Sequence, residues 1–349
     1  MKSDYLMLLH PSSNRVYNRA ATHLAKAELQ VFNASVLDER IDEVQEQQLA
    51  GVDYLGFTCD ALTQSDVHHL SNLSCIFALF KLNGKLADRT LMPIQLSPLK
   101  AYNSDLLSIL KFAGKTNEQF TKLLLNVTVM ASESAKHMCT QRLSLFDPLC
   151  GRGTTLNQAL MYGYDASGIE IDTKDFQAYE QFINRWLKDN RLKHTSKTTT
   201  LRHNDNTQAQ RLGVHTASDK QKYKSGDTQK LDVVNADTAL AARFFKPKSF
   251  DLIVADLPYG VRHANTTDKR LARSPIQLLE TALPIWATLL KPGAAIGLSW
   301  NTFLAKSDDV ADIIEGAGLH VHPFSNDKRF EHRVDQAINR TLIVATRPR

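Results

Sequence analysis

Cysteine is scarce and unpaired in this chain. The four present, Cys59, Cys75, Cys139 and Cys150, include no C-x-x-C spacing, which excludes a disulfide framework and the usual zinc arrangements. They read as free thiols of a reducing compartment, so a cytoplasmic location is expected. No apolar run approaches the ~18 residues of a membrane span, and no membrane partner is expected. Met1–His10 has too short an apolar stretch, and no small-residue cleavage site, for a signal peptide. One-sided charge is also missing. A net charge of +5 permits a nucleic-acid partner without demanding one.

What is there centres on Leu143–Asp172. An apolar run, Leu143–Phe146, leads into the turn Asp147-Pro-Leu-Cys-Gly-Arg-Gly-Thr154, a helix over Thr155–Tyr162, and a second strand ending on Glu170-Ile-Asp172. A strand that empties into a glycine turn and then a helix can cradle a nucleotide. Gly151 and Gly153 let backbone approach a ligand, and the helix N-terminus presents N–H groups to it. Glu170 falls about twenty residues on, where a carboxylate reaches two ribose hydroxyls. The turn lacks G-x-G-x-x-G spacing and G-K-[ST], which disfavours a dinucleotide site or a P-loop.

A second signal lies at Ser249–Arg262. Leu252–Ala255 is fully apolar, so Asp256-Leu-Pro-Tyr-Gly260 falls just past a strand's carboxyl end, the rim where open α/β sheets bind ligands. Transfer to an exocyclic base amine needs such a group. The amine lone pair is delocalised into the ring, and two hydrogen-bond acceptors on its N–H groups would pyramidalise it and aim it. Asp256 and the carbonyl of Leu257 are the expected acceptors. Pro258 fixes the turn, and Tyr259 offers a stacking face for an extruded base. No covalent nucleophile and no metal are needed.

The D-P-x-C-G-x-G-T form of residues 147–154 resembles motif I of class I S-adenosylmethionine-dependent methyltransferases. Asp256-Leu-Pro-Tyr259 is similar to motif IV of the branch that methylates amino groups, with Leu257 where proline is usual. Continuing as Gly-x-Arg, it looks most like the tRNA guanosine-N2 methyltransferases, which couple a THUMP-containing region to this catalytic domain. Residues 105–349 carry the resemblance, and the first hundred show no THUMP pattern. It implies an α/β fold, a doubly wound seven-stranded Rossmann-like sheet, with S-adenosylmethionine as cofactor and S-adenosylhomocysteine as product. The implied cofactor residues are Asp147, Pro148, Cys150, Gly151, Gly153, Thr154, Glu170 and Ile171. Thr116, in the Gly-Lys-Thr turn before Glu118–Ala131, resembles motif X; Thr116 or Asn117 would cap that helix. Asp237 or Asn235, ending the strand Leu231–Asp237, would accept from the adenine amine, or Asp237 would cap the next helix.

Around these motifs, residues 1–100 alternate strands (Tyr5–Leu9, Val52–Thr58, Ile76–Leu82) with helices (Arg19–Leu29, Ser65–Leu73). They suggest a small α+β domain, ferredoxin-like in character, that presents substrate or stabilises the fold. Pro93–Lys100 reads as a linker. Residues 101–349 form the catalytic domain, interrupted by a basic, polar insertion over 191–231. That insertion is a long loop or hairpin, either solvated or holding nucleic-acid phosphates. Its three histidines are too irregular for a metal. Arg262 and His263, and Arg333 with His332 in the last loop, are candidate substrate contacts.

The expected function is methylation of a base amino group in RNA, with guanosine N2 of tRNA favoured. DNA adenine-N6 or cytosine-N4 transfer comes second, protein glutamine-N5 third. A non-catalytic cofactor- or RNA-binding module is the alternative of another class.

Overall fold

The computed structural model describes residues 2–11, 15–84, 89–109, 115–202, 208–258, 274–325 and 328–349. The chain begins β1 (Ser3–Leu9), α1 (Arg15–Val36), β2 (Asp42–Leu49), β3 (Val52–Cys59), α2 (Gln64–Leu70), β4 (Ile76–Asn83) and β5 (Thr90–Ile94). The strands pair antiparallel in the order β2-β3-β1-β4-β5. Read through its first four strands, this is a βαββαβ ferredoxin-like unit, with β5 added at the edge. Tyr5, Leu6 and Met7 are buried, and α2 starts from a capping box between Thr63 and Asp66. Two strands have no counterpart in the sequence reading. The β2 segment, DEVQEQQL, buries no residue fully, so it shows no apolar alternation. Pro93, expected in a linker, lies in β5, where an edge strand tolerates the missing N–H.

After α3 (Asp105–Ser108), α4 (Glu118–Ala131) forms with the expected bounds. Asn117 caps it, its side-chain oxygen accepting from the Gln119 and Phe120 N–H groups. That releases Thr116 for another role. Helix α4 is wedged between α1 and the large sheet, and one core takes in Leu24 and Phe32 of α1 with Leu123 and Val127 of α4. A buried polar seam joins the same elements. Glu28 accepts from the Ser74 hydroxyl (2.6 Å) and the Asn126 amide (2.7 Å), while Tyr162 donates to Asn126 at 2.7 Å.

The large sheet follows: β6 (Ser144–Asp147), α5 (Thr154–Met161), β7 (Asp165–Glu170), α6 (Thr173–Asp189), β8 (His194–Arg202), β9 (Gln208–Thr216), α7 (Lys220–Ser225), β10 (Gln229–Asn235), α8 (Ala241–Phe244), β11 (Phe250–Asp256), α9 (Pro275–Leu289), β12 (Leu290–Asn301), α10 (Ser307–Gly316), β13 (His320–Val321), β14 (His332–Arg333) and β15 (Asn339–Thr346). Its order is β13-β15-β12-β11-β6-β7-β10-β9-β8, with β14 on β15. Strands β12, β11, β6, β7 and β10 are parallel neighbours, and β15 is reversed. The expected seven-stranded sheet is therefore present, but the sheet has ten strands. The insertion adds the hairpin β8–β9 to the outer edge of β10, and β14 adds a short pair at the other side. Lys291-Pro-Gly293, expected as a turn, is drawn into β12, where the β11 register shifts between Phe250 and Leu252.

Candidate active site

The parallel strands bring their carboxyl ends to one rim: Asp147 from β6, Glu170 from β7, Asn235 from β10 and Asp256 from β11. A cleft of about 190 Å³ lies along this rim. It is lined by Pro148, Glu170, Ile171, Asp237, Asp256 and Pro258 of the expected set, which are thereby brought together. Leu149, Ile169, Ala236, Thr238 and Leu278 complete the wall. None of these five carries a motif: four end or follow the strands β6, β7 and β10, and Leu278 reaches the wall from α9.

The glycine turn has two distinct reasons for its glycines. Gly153 takes φ +81°, and a Cβ there would meet the Tyr179 ring at 2.2 Å. Gly151 takes φ +52°, and a Cβ there would meet nothing within 4 Å. The space beside Gly151 is open for a ligand, and Gly153 is needed for packing as well as for the backbone. Cys150 departs from expectation. Its N–H donates to the Ile169 carbonyl (2.9 Å) and its buried sulfur packs toward Gly168, so it fastens the turn to β7 and does not line the cleft. Thr154 opens α5 directly behind Gly153.

Glu170 is 9% exposed and its two oxygens accept from the Asp172 N–H (2.7 Å) and the Gly151 N–H (2.8 Å). Asp147, 3% exposed, accepts from the Leu149 N–H at 3.0 Å. Burial pushes both carboxyls up to about 7, with neighbouring carboxylates adding to the shift. This cluster of buried carboxyls suits a ligand that brings hydroxyl donors and a positive charge.

The adenine candidates divide. The Asn235 amide donates to the Glu170 and Ile171 carbonyls (2.8 and 3.2 Å) and its oxygen accepts from Thr173 (2.9 Å). Asn235 therefore clips β7 to β10 and is committed within the fold. Asp237 lines the cleft and also accepts from the Ala239 N–H at 2.9 Å, so capping and cleft wall are both its work.

At Asp256 the structure goes beyond the motif. One carboxylate oxygen accepts from Thr116 at 2.6 Å, and the other from Ser299. Arg340, 4% exposed, brings a guanidinium nitrogen to 3.7 Å from Asp256 while lying 4.5 Å over the Phe120 ring. Ser299 sits directly opposite Asp256 in the β11–β12 register. Its place as the last small polar residue of an apolar strand is the signal that would have found it. Arg340 gave no such signal. Only the pairing of β15 with β12 brings it in.

The departure at Leu257 has a physical reason. Its N–H donates to the Ser299 carbonyl at 2.8 Å, a bond proline cannot make, and its side chain is 1% exposed in the core with Leu278 and Leu279. Tyr259, Arg262 and His263 lie outside the described residues. Arg333 is exposed, with its Nε donating to the Asp335 carbonyl, and it lines a small neighbouring cavity with Lys115, Asn117, His332 and Arg340. His332 is a core residue, packed on Phe120 and Tyr17, and burial lowers it to about 4.

Residues 135–290, just under half of the chain, match the family model described as UPF0020: RMKL-like, methyltransferase domain. No curated protein sequence matches the chain significantly. Solved structures that resemble it include a TehB-like SAM-dependent methyltransferase from Corynebacterium glutamicum, with 14% identity, 60% of this chain and 83% of that one covered, and a TM-score of 0.34. The magnesium protoporphyrin IX methyltransferase of Synechocystis, with bound SAM, is 12% identical over 68% and 86%, at a TM-score of 0.38. A Burkholderia thailandensis 1,6-didemethyltoxoflavin-N1-methyltransferase, with S-adenosylhomocysteine bound, is 11% identical over 60% and 72%, at a TM-score of 0.35. The sheet order, the cleft and the family match make this a class I methyltransferase whose cofactor is S-adenosylmethionine.

Proposed function

We propose that this methyltransferase acts on an exocyclic base amino group in RNA, with guanosine N2 of tRNA as the favoured target, in the cytoplasm. The observation that carries the reading is Asp256. It lines the same cleft as Glu170 and Asp237, and it is held on both oxygens by Thr116 and Ser299.

S-adenosylmethionine, when bound, supplies an electrophilic methyl group. Glu170 would hold the ribose hydroxyls, Asp237 the adenine amine, and the turn at Gly151 the amino-acid end. The chain's own part in the chemistry is to prepare a weak nucleophile. A carboxylate offers roughly four lone-pair sites, and the two hydroxyls take one on each oxygen. That capacity exceeds the two bonds, so a substrate N–H can be accepted as well. Because the carboxylate is already fixed, it does not have to reorganise as positive charge develops on the nitrogen. The Leu257 carbonyl is the second acceptor. The peptide just before it is pinned, the Leu257 N–H donating to the Ser299 carbonyl.

Incubation with methyl-labelled S-adenosylmethionine and unmodified total RNA, followed by nucleoside analysis, tests the reading. Label in N2-methylguanosine is the expected result. Label only in DNA bases or in protein overturns it.

A further inference from the structure

The outer edge of the large sheet carries a surface that the catalytic reading leaves unused. Residues 191–230 hold nine lysines and arginines against three aspartates, a net +6 in a chain whose total is +5. The rest of the chain is slightly acidic, so its basic character is local.

Strand register gathers Lys197, Arg211 and Lys230 of these on one face. His215 is paired with Thr195 on one side and Lys230 on the other, and Gly213 with Lys197 and Asp232. Paired residues share a face of a pleated sheet, and alternate residues return to it. Lys197, His215, Lys230 and Arg211 therefore stand together, with Lys193 immediately ahead of β8. Under β9 and β10 the opposite face is closed: Leu212, Val214 and Val233 join the core with Ile183 and Trp186 of α6. On the basic face Arg211 pairs with Asp232, the only carboxylate that the three strands place there, and lies 5.7 Å over the Phe245 ring. Lys193, Thr195, Lys197, His215 and Lys230 are exposed. A sheet face carrying lysines and threonine hydroxyls, with Asp232 paired to Arg211 and Asp165 accepting from the Lys230 N–H, is complementary to a phosphate backbone.

We propose that this face, Lys193, Lys197, His215 and Lys230 with Thr195, holds the phosphate backbone of the structured RNA whose base is delivered to Asp256. The inference rests on the RNA reading above and adds to it where the body of the substrate lies. From β8 to β11 is five inter-strand steps, about 24 Å along the sheet. A single nucleotide cannot bridge that, and a folded RNA can. Contacts so far from the reacting atoms act on substrate and transition state alike, so they belong in KM and not in kcat.

The test uses the full chain and a fluorescently labelled, unmodified tRNA transcript, with binding followed by anisotropy across a salt series. The triple variant K193E/K197E/K230E is compared with K26E/K136E/K306E, which reverses three exposed lysines elsewhere. Losing two to three phosphate contacts should flatten the slope of log affinity against log salt by about 2, with at least ~10-fold weaker binding near 0.1 M salt. Cofactor affinity should be unchanged and the control variant should bind normally. An unchanged slope, an equal loss in the control, or binding to phosphatidylserine vesicles in preference to RNA overturns the proposal. If the triple variant loses RNA binding but the native chain transfers no methyl group to RNA, the surface stands and the enzymatic reading falls.

Discussion

Thr116 donates a hydrogen bond of 2.6 Å to Asp256 from 140 residues away in the sequence. It joins the turn that starts α4 to the end of β11, so two motifs far apart in the chain act on one carboxylate. With Ser299 on the other oxygen and Arg340 alongside, Asp256 is held from three places, the turn before α4, β12 and β15.

Thr116→Val keeps the shape and removes the hydroxyl. A lost hydrogen bond to a charged group is worth about 1.5 kcal/mol, so kcat on RNA should fall roughly tenfold. Cofactor affinity should stay within about twofold, since the hydroxyl faces Asp256. Combined with Ser299→Ala, the loss should differ from the sum of the singles, because both hydroxyls hold one group. Strict additivity in steady-state kinetics would argue against a shared carboxylate.

Arg340 is buried against Asp256 and Phe120. Arg340→Met should cost about 1.5 kcal/mol in denaturant unfolding, because it takes the cation away from the half-buried Asp256 and from the Phe120 ring. The double variant R340M/D256N should recover much of that stability while remaining inactive. Full stability in the single variant would count against the pair.

Glu170 and Asp147 are both raised to about 7, chiefly by burial. The folded chain keeps these protons at pH values where the unfolded chain has released them. Their contribution to stability is therefore lost as pH rises from about 4.5 to about 7 in the free protein. Glu170→Gln should accordingly gain in Tm relative to the native chain between pH 5 and pH 8. Its affinity for S-adenosylmethionine should fall on the order of 30-fold, as two ribose hydroxyls lose a charged acceptor. A Tm difference that does not change with pH would contradict the assignment.

Glu28 is fully buried where α1 meets α4, accepting from Ser74 and Asn126. Glu28→Ala strands those donors and should cost about 3 kcal/mol. Since the two sheets share one apolar core, calorimetry should show a single transition moved to lower temperature. Two separated transitions would mean that the N-terminal unit melts alone.

The two motifs were legible because each couples a strand to a turn whose residues have few alternatives: positive-φ glycines at 151 and 153, and a carboxylate ending an apolar strand at 256. Helix α4 was legible to the residue from its apolar face and the Asn117 cap. Strand β2 was not, because it is polar apart from Val44 and Leu49 and buries no residue fully. The hairpin β8–β9 was foreseen only as a long loop or hairpin. Its buried positions lie on β9, and β8 is a nearly unbroken run of polar residues. Arg340, Ser299 and the Thr116 contact depend on strand pairing across the sheet, which local pattern does not encode. The same holds for Cys150 and Asn235, whose side chains suit a ligand but whose partners lie within the fold.

The most direct measurement takes native chain and Asp256→Ala side by side, recording S-adenosylmethionine affinity by calorimetry and methyl transfer to unmodified tRNA in the same preparations. Cofactor binding should persist within a few-fold while transfer falls by at least ~10³-fold, the scale of removing a principal electrostatic group. Near-native transfer by the Asp256→Ala chain would contradict the account.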